Sequence, residues 1–298
     1  MRQNIIVLVM TVCLTGCMVK DKQPPIGMSP EIFSNTPGWK SAKAIMNDDT
    51  VSLSKELERN PDLITLKDPY YGFSLLFTAV LNNRIKSTEK LLKAGFDPNL
   101  VSDTIHGEGT TPMMPVAYFN DISPKILELL LMYGGNPDSK QRFSFRMIGY
   151  NMEVQDTINR HAITDAAGTD IEKVKLLLNY GADVNPKEGL SPLYMAVALD
   201  KMEIALYLLE NGADYNEKYE AEDVDSRQSQ SRGYATVADK LRYVIVPLDS
   251  REYEFKLKVI DFLKGKGIDY YETEIPDHAQ NLIKRKYPDA WEEYMKVY

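Results

Sequence analysis

The chain has 298 residues, enough for one extended array or about two compact domains. A balance of 44% hydrophobic and 26% charged residues speaks against disorder. The net charge of −8 excludes the basic footprint that phosphate recognition needs, and so argues against a nucleic-acid partner.

The first residues read as an export signal. Arg2 precedes a mostly apolar run from Ile5 to Leu14, which ends in Leu14-Thr15-Gly16-Cys17. The run is too short to cross a bilayer, which takes about 20 apolar residues. The LTGC tetrapeptide resembles the lipobox of bacterial lipoproteins. That resemblance implies loss of residues 1–16 and acylation (palmitate among the chains) of Cys17, which holds the protein to a membrane. Met18 stands where an Asp would suggest retention at the inner membrane, so the expected location is the outer membrane, facing the periplasm. The cysteines agree, since Cys13 leaves with the signal and Cys17 is consumed by lipid, with no third for a disulfide. Residues 17–38 read as a flexible tether, because Pro24, Pro25, Gly27, Pro30, Pro37 and Gly38 interrupt any regular element.

Five related segments follow: KAGFDPN at Gly95, MYGGNPD at Gly134, NYGADVN at Gly181, ENGADYN at Gly212 and GKGIDYY at Gly267. Each ends a run of helical apolar spacing, such as Leu91-Leu92, Leu129 to Leu131 or Leu176 to Leu178. The glycine suits the left-handed residue that closes a helix. The Asp or Asn after it suits a tight turn, since its side chain can accept from nearby backbone. Upstream, SLLFTAV at Ser74, TPMMPVA at Thr111 and SPLYMAV at Ser191 read as capped helix starts. The unit is therefore turn, short inner helix, outer helix, glycine stop and finger.

This unit resembles the ankyrin repeat, whose consensus carries a TPLH-x-A helix start and a G-A-D-x-N finger about 33 residues apart. The resemblance covers residues 40–270 and is clearest from Ser191 to Asn216. It implies an all-α fold: an ankyrin-repeat solenoid of about five to six helix pairs over residues 39–270, with a helical cap over 271–298. The C-terminal IPDHAQNLIKRKYPDAWEEYM places Trp291, Tyr294 and Met295 over the last repeat, as an open end requires. Phe77, Met114 and Tyr194 stand where the family has His, so packing must replace that histidine's hydrogen bond. The extra residues between glycines fall near 101–109, 139–159 and 219–233; insertions in a stacked array map to loops on one face, often the binding face.

No constellation for catalysis is legible. His106, His161 and His278 are far apart, none lies in an H-E-x-x-H pair, and no nucleophile elbow, P-loop or dinucleotide glycine pattern occurs. The reading is a non-enzymatic protein with no cofactor, no small-molecule substrate and no metal. The acidic run at Glu220, Glu222, Asp223 and Asp225 lacks the twelve-residue calcium-loop pattern. It reads as an acidic patch for a basic partner or as a solvated loop. Half of the tyrosines lie at or beyond Tyr219, and tyrosine suits interfaces as well as the filling of imperfect repeat cores. The candidate partner-binding residues are Asp103, His106, Glu108, Tyr150, Glu188, Tyr194, Tyr219, Glu222, Asp223 and Asp225.

Stacked repeats present a long, stiff surface, which points to recognition rather than turnover. Ankyrin-like bacterial lipoproteins resemble immunity proteins that neutralise toxic effectors delivered between cells, type VI-like systems and membrane-attacking phospholipases among them. The resemblance implies a lipid-anchored inhibitor of such a protein. The other reading is an envelope scaffold that holds a resident complex together.

Overall fold

A computed structural model of the chain describes residues 27–103, 109–149, 152–220 and 234–298. Cys17, His106, Glu108, Tyr150, Glu222, Asp223 and Asp225 lie outside the described residues. Among those described, the helices fall into successive pairs. They are α1 (Trp39–Met46) with α2 (Thr50–Arg59), α3 (Leu75–Leu81) with α4 (Ile85–Lys93), and α5 (Met113–Tyr118) with α6 (Pro124–Met132). Then come α7 (Ala162–Ala167) with α8 (Ile171–Asn179), α9 (Pro192–Ala198) with α10 (Met202–Glu210), and α11 (Val237–Leu241) with α12 (Arg251–Gly265). A last pair, α13 (Asp277–Lys286) and α14 (Trp291–Val297), closes the chain.

Within α1–α12 the first helix of each pair touches the first helix of the next, and the second touches the second. Small residues make this stacking possible, with Ala79, Ala117, Ala166 and Ala196 wholly buried on the inner row. One continuous apolar core then runs from Ile32 to Tyr270. A separate cluster, Ile245, Ala279, Ile283, Tyr294 and Tyr298, sits under the last pair with Trp291 and Met295 against it. The Tyr294 hydroxyl donates to the Val246 carbonyl at 2.7 Å and accepts from the Val246 N–H at 3.1 Å, which ties that pair to the loop after α11.

Helix starts follow the sequence logic at Ser74 and Ser191, whose hydroxyls accept from Phe77 and Tyr194 N–H, each at 3.1 Å. At the third such motif they do not. Helix α5 begins at Met113 with Pro112 in the cap position, and the buried Thr111 hydroxyl has no partner. Where the family has His, the Phe77 ring stacks on Phe73 at 4.1 Å, and Phe73 on Tyr71 at 5.2 Å. Packing there takes over the work of a hydrogen bond.

Two segments differ from expectation. Residues 27–38, read as the end of a tether, are packed against the first repeats. Ile32 and Phe33 are fully buried around a short 3-10 turn at Pro30–Phe33, and Asn82 donates to the Met28 carbonyl at 2.9 Å. The density of Pro and Gly hid two apolar anchors. The insertion at 139–159 is an antiparallel hairpin, β1 (Lys140–Gly149) with β2 (Met152–His161), in a helical chain read as all-α. A second, minimal pair joins β3 (Tyr219–Glu220) to β4 (Tyr234–Ala235).

Candidate functional site

The fingers are built by one repeated local arrangement. Gly95, Gly134, Gly181, Gly212 and Gly267 have φ of 92°, 87°, 90°, 91° and 85°. In each, the N–H one residue on donates back to the carbonyl of the last helical turn, as Ala182 does to Leu177 at 2.9 Å and Ala213 to Leu208 at 2.9 Å. Two residues after each glycine, Asp97, Asn136, Asp183, Asp214 or Asp269 accepts from the N–H two residues further on, at 2.8 to 3.0 Å.

Neighbouring fingers are joined by the residue four after the glycine. The Asn99 amide donates to the Gly134 carbonyl at 2.9 Å while its oxygen accepts from Asn136 N–H at 2.8 Å. Asn185 repeats this on Gly212 and Asp214, at 2.9 and 2.8 Å. Between those steps stands Asp138, which accepts from Asp183 N–H at 2.7 Å but has no N–H to give. On the helix–helix turns, Asp48 accepts from Ser87 N–H and hydroxyl, and Asn83 bridges Asp121 and Ser123. The fingers and the turns are thus both held in register from repeat to repeat.

The β1–β2 hairpin grows out of this row and is rooted in it. Glu188 accepts from Lys140 at 3.0 Å and from Asn159 at 2.8 Å. The Lys140 ammonium holds the Glu188 carboxyl below the usual carboxylate range. Arg160 bonds Asp165 through Nε at 3.0 Å and Nη2 at 2.7 Å, and its guanidinium lies 4.5 Å from the Tyr118 ring centre. Burial of Asp165 within the inner helix α7 pushes its carboxyl up to about 6, despite Arg160. His161 occupies the cap position of α7 without a side-chain cap bond, and burial lowers its ring's pKa.

Further along the inner row, the Lys240 ammonium lies 5.2 Å from the centre of the half-buried Tyr194 ring. Asp103 is exposed at the first inserted finger, where its N–H donates to the Tyr71 carbonyl at 2.9 Å. The structure therefore brings Glu188 to the hairpin root, puts Tyr194 on the inner row and leaves Asp103 on a separate finger. Tyr219 is placed only as the first residue of β3. Sequence reasoning missed Tyr118, Lys140, Asn159, Arg160, Asp165 and Lys240. The alternation Phe143-Ser144-Phe145 was the available sign of a strand, and the Ala162-Ile163-Thr164-Asp165-Ala166-Ala167 run was the sign of a closely packed helix.

Among the described residues no group of three His, Cys, Asp or Glu could hold a metal ion, and no helix is long and apolar enough to cross a membrane. Comparison with known proteins identifies the unit. Residues 141–219 match the family model for ankyrin repeats, in three copies. The chain carries ankyrin repeats. Alpha-latrocrustotoxin-Lt1a of Latrodectus tredecimguttatus is 30% identical over 142 residues, which is 45% of this chain and 8% of the toxin. The chain thus spans less than a tenth of that relative's length. The family match begins inside the hairpin and ends at β3, yet the same glycine stop and turn bond recur at Gly95, Gly134 and Gly267, beyond it. Ankyrin repeats are protein–protein interaction modules.

Proposed function

We propose that this protein is a lipid-anchored, periplasm-facing binding protein that inhibits a toxic effector, in the manner of an immunity protein. A membrane-attacking phospholipase is the fitting class of target. Residues 1–16 are its export signal, Cys17 carries the lipid, and the outer membrane is its seat. The lipobox-like LTGC and the absence of an Asp after Cys17 support that location. An anchor concentrates an inhibitor where such an enzyme works.

The observation that carries the binding role is the continuity of the finger row. Side-chain bridges from Asn99 and Asn185 and the paired root of the β1–β2 hairpin present one preorganised surface. Preorganisation matters because ordering a flexible surface on binding would subtract from affinity. Asp103, Glu188, Tyr194 and Tyr219, with His106, Glu108, Tyr150, Glu222, Asp223 and Asp225, are its proposed contacts.

The test is protection in cells that export the product of the neighbouring gene as the candidate effector. The full-length protein is expected to keep the cells alive and to co-purify with the effector. A Cys17→Ser form is expected to lose palmitate labelling and most of the protection. Death despite normal export of the full-length protein refutes the inhibitor role, and capture of a resident envelope protein instead favours a scaffold.

A further inference from the structure

The first helix pair has a neighbouring repeat on one side only. Helix α1 packs on α2, on α3 and on the turn at Pro30–Phe33, while α2 packs on α1, on α4 and on a second turn at Pro61–Ile64. The side turned away from α3 and α4 is the open end of the array, where a polar outer face is needed for solubility. Here that face mixes lysines with apolar groups. Trp39, Lys40 and Lys43 lie on the side of α1 opposite its buried Ser41, Ala44 and Ile45. The half-buried Trp39 ring has the Lys43 ammonium 4.8 Å from its centre, one helical turn on. On α2, Val51 is 65% exposed and Lys55 follows it by one turn, both away from the buried Leu53. Lys40 and Lys55 make no ion pair among the described residues. Of the acids on this pair, Asp48 is taken by Ser87, Asp49 caps α2 and Glu56 holds Arg59, which leaves Glu58.

Charge and reach single out one occupant for this face. Between Met18 and Met46 the chain has four lysines, Lys20, Lys22, Lys40 and Lys43, against two acids, Asp21 and Glu31, although its net charge is −8. An anionic bilayer therefore attracts this end and repels the remainder. Ten peptide steps separate Cys17 from Gly27, and no conformation stretches them beyond about 35 Å. From there the chain is fixed to the array by Ile32, Phe33 and the Asn82 bond to the Met28 carbonyl. Resting on the reading that Cys17 is acylated, we propose that the open face of the first helix pair sits on a negatively charged phospholipid surface. The Trp39 ring enters the headgroup layer, as an indole with an apolar body and a polar edge can, and Lys40, Lys43 and Lys55 reach the phosphates. A tether alone lets the array tumble; this second contact fixes which side of it faces the bilayer. A second copy of this chain fits less well, because two such faces would bring Lys40 and Lys43 against their own counterparts.

The test uses the two tryptophans of the chain, Trp39 on this face and Trp291 in the C-terminal cap. Acylated full-length protein carrying Trp291→Phe is placed on vesicles of phosphatidylethanolamine and phosphatidylglycerol with plain or brominated acyl chains. Trp39 is expected to lose emission to the bromine, and to regain it when phosphatidylcholine replaces phosphatidylglycerol. The converse Trp39→Phe protein, which reports on Trp291, is expected to keep its emission throughout. Lys40→Gln with Lys43→Gln should shift the balance of seated and unseated forms by about 30-fold toward unseated, so that quenching of Trp39 is lost while the protein still sediments with the vesicles. If Trp291→Phe loosens the cap, fluorine NMR of the 5-fluorotryptophan wild type against a nitroxide lipid reads both indoles separately. Sedimentation without quenching of Trp39 overturns the proposal and leaves the anchor standing. Equal quenching of both tryptophans overturns it too, as does quenching that ignores the lysine pair and the lipid charge. A concentration-dependent dimer that shields Trp39 also overturns it, by naming a second copy as the occupant. A wild type with no acyl group on Cys17 removes the anchor; quenching of Trp39 at raised lipid concentration then keeps this face, and its absence removes both.

Discussion

Asn185 is hydrogen-bonded to Gly212 across the gap between two fingers: its side-chain amide donates to the glycine carbonyl at 2.9 Å. Its other end accepts from Asp214 N–H at 2.8 Å, so one side chain satisfies two backbone groups of the next repeat. Asn99 does the same for Gly134 and Asn136. Replacing Asn185 by Ala removes both bonds, and a loss of about 1–2 kcal/mol in urea unfolding is expected. Asp138 occupies the same place one finger earlier and can only accept. Asp138→Asn supplies the missing donor toward the Gly181 carbonyl, and a gain of about 1 kcal/mol is expected. A destabilised Asp138→Asn protein would show that the carboxylate has a task the bridge geometry does not explain.

The ion pair of Arg160 and Asp165 is expected to govern how the hairpin is held. Asp165 is nearly inaccessible, so Arg160→Ala leaves a carboxylate buried without its partner, at a cost of about 3 kcal/mol. Burial of Asp165, opposed by Arg160, also sets a pH dependence. The folded pKa of Asp165, about 6, is above its ordinary value of 3.8. A raised pKa means that the protonated form is favoured on folding, so this contribution is complete below about 3.8 and is lost as pH rises through about 6. Stability measured by urea titration from pH 4 to 7 should therefore slope downward, and Asp165→Asn should flatten that slope. An unchanged slope in Asp165→Asn would assign the dependence to other groups.

The repeat itself was readable because its geometry is local. A glycine with φ near 90° and an Asp two residues later specify their turn without help from distant residues, and all five turns form as read. The candidate surface was less readable, because its pairs are long-range. Lys140 meets Glu188 across 48 positions, and Lys240 reaches Tyr194 from the following repeat. Periodicity gives no register between segments so far apart. The short helix α11 carried no sequence motif of its own, because five residues are too few to show a helical period. Ile32 and Phe33 were missed because prolines flank them, although burial rather than propensity decides their place.

Lys256 has a second pH signature, of opposite sense. Its ammonium donates to the Val244 carbonyl at 2.9 Å and lies 4.3 Å from the Tyr298 ring centre, beside the buried Arg242. Burial, with Arg242 second, lowers its pKa from 10.5 to about 7. A depressed lysine pKa makes its contribution complete above about 10.5 and lost as pH falls through about 7. Lys256→Met removes the charged form, and at pH 6 a gain of about 1–3 kcal/mol is expected. The reporter is near-ultraviolet circular dichroism of the surrounding tyrosines during unfolding. A loss of stability at pH 6 would mean that the Val244 bond outweighs the desolvation of the ammonium.

Two glycines with similar backbones are expected to respond differently to alanine, which separates strain from collision. Gly181 has φ of 90° and nothing within 4 Å of the place an added methyl would take, so Gly181→Ala costs only the left-handed conformation, about 1 kcal/mol. Gly189 has φ of 82°, but its Cβ would come within 1.9 Å of the Asn159 carbonyl oxygen. No flexible side-chain end is available to yield there, so either the finger at Glu188 or strand β2 must move. Gly189→Ala should therefore break the Glu188 contacts with Lys140 and Asn159 and expose the hairpin root to proteolysis, while Gly181→Ala leaves it protected. Limited proteolysis with site identification distinguishes them. Equal resistance of the two variants would show that the hairpin is not held against this finger.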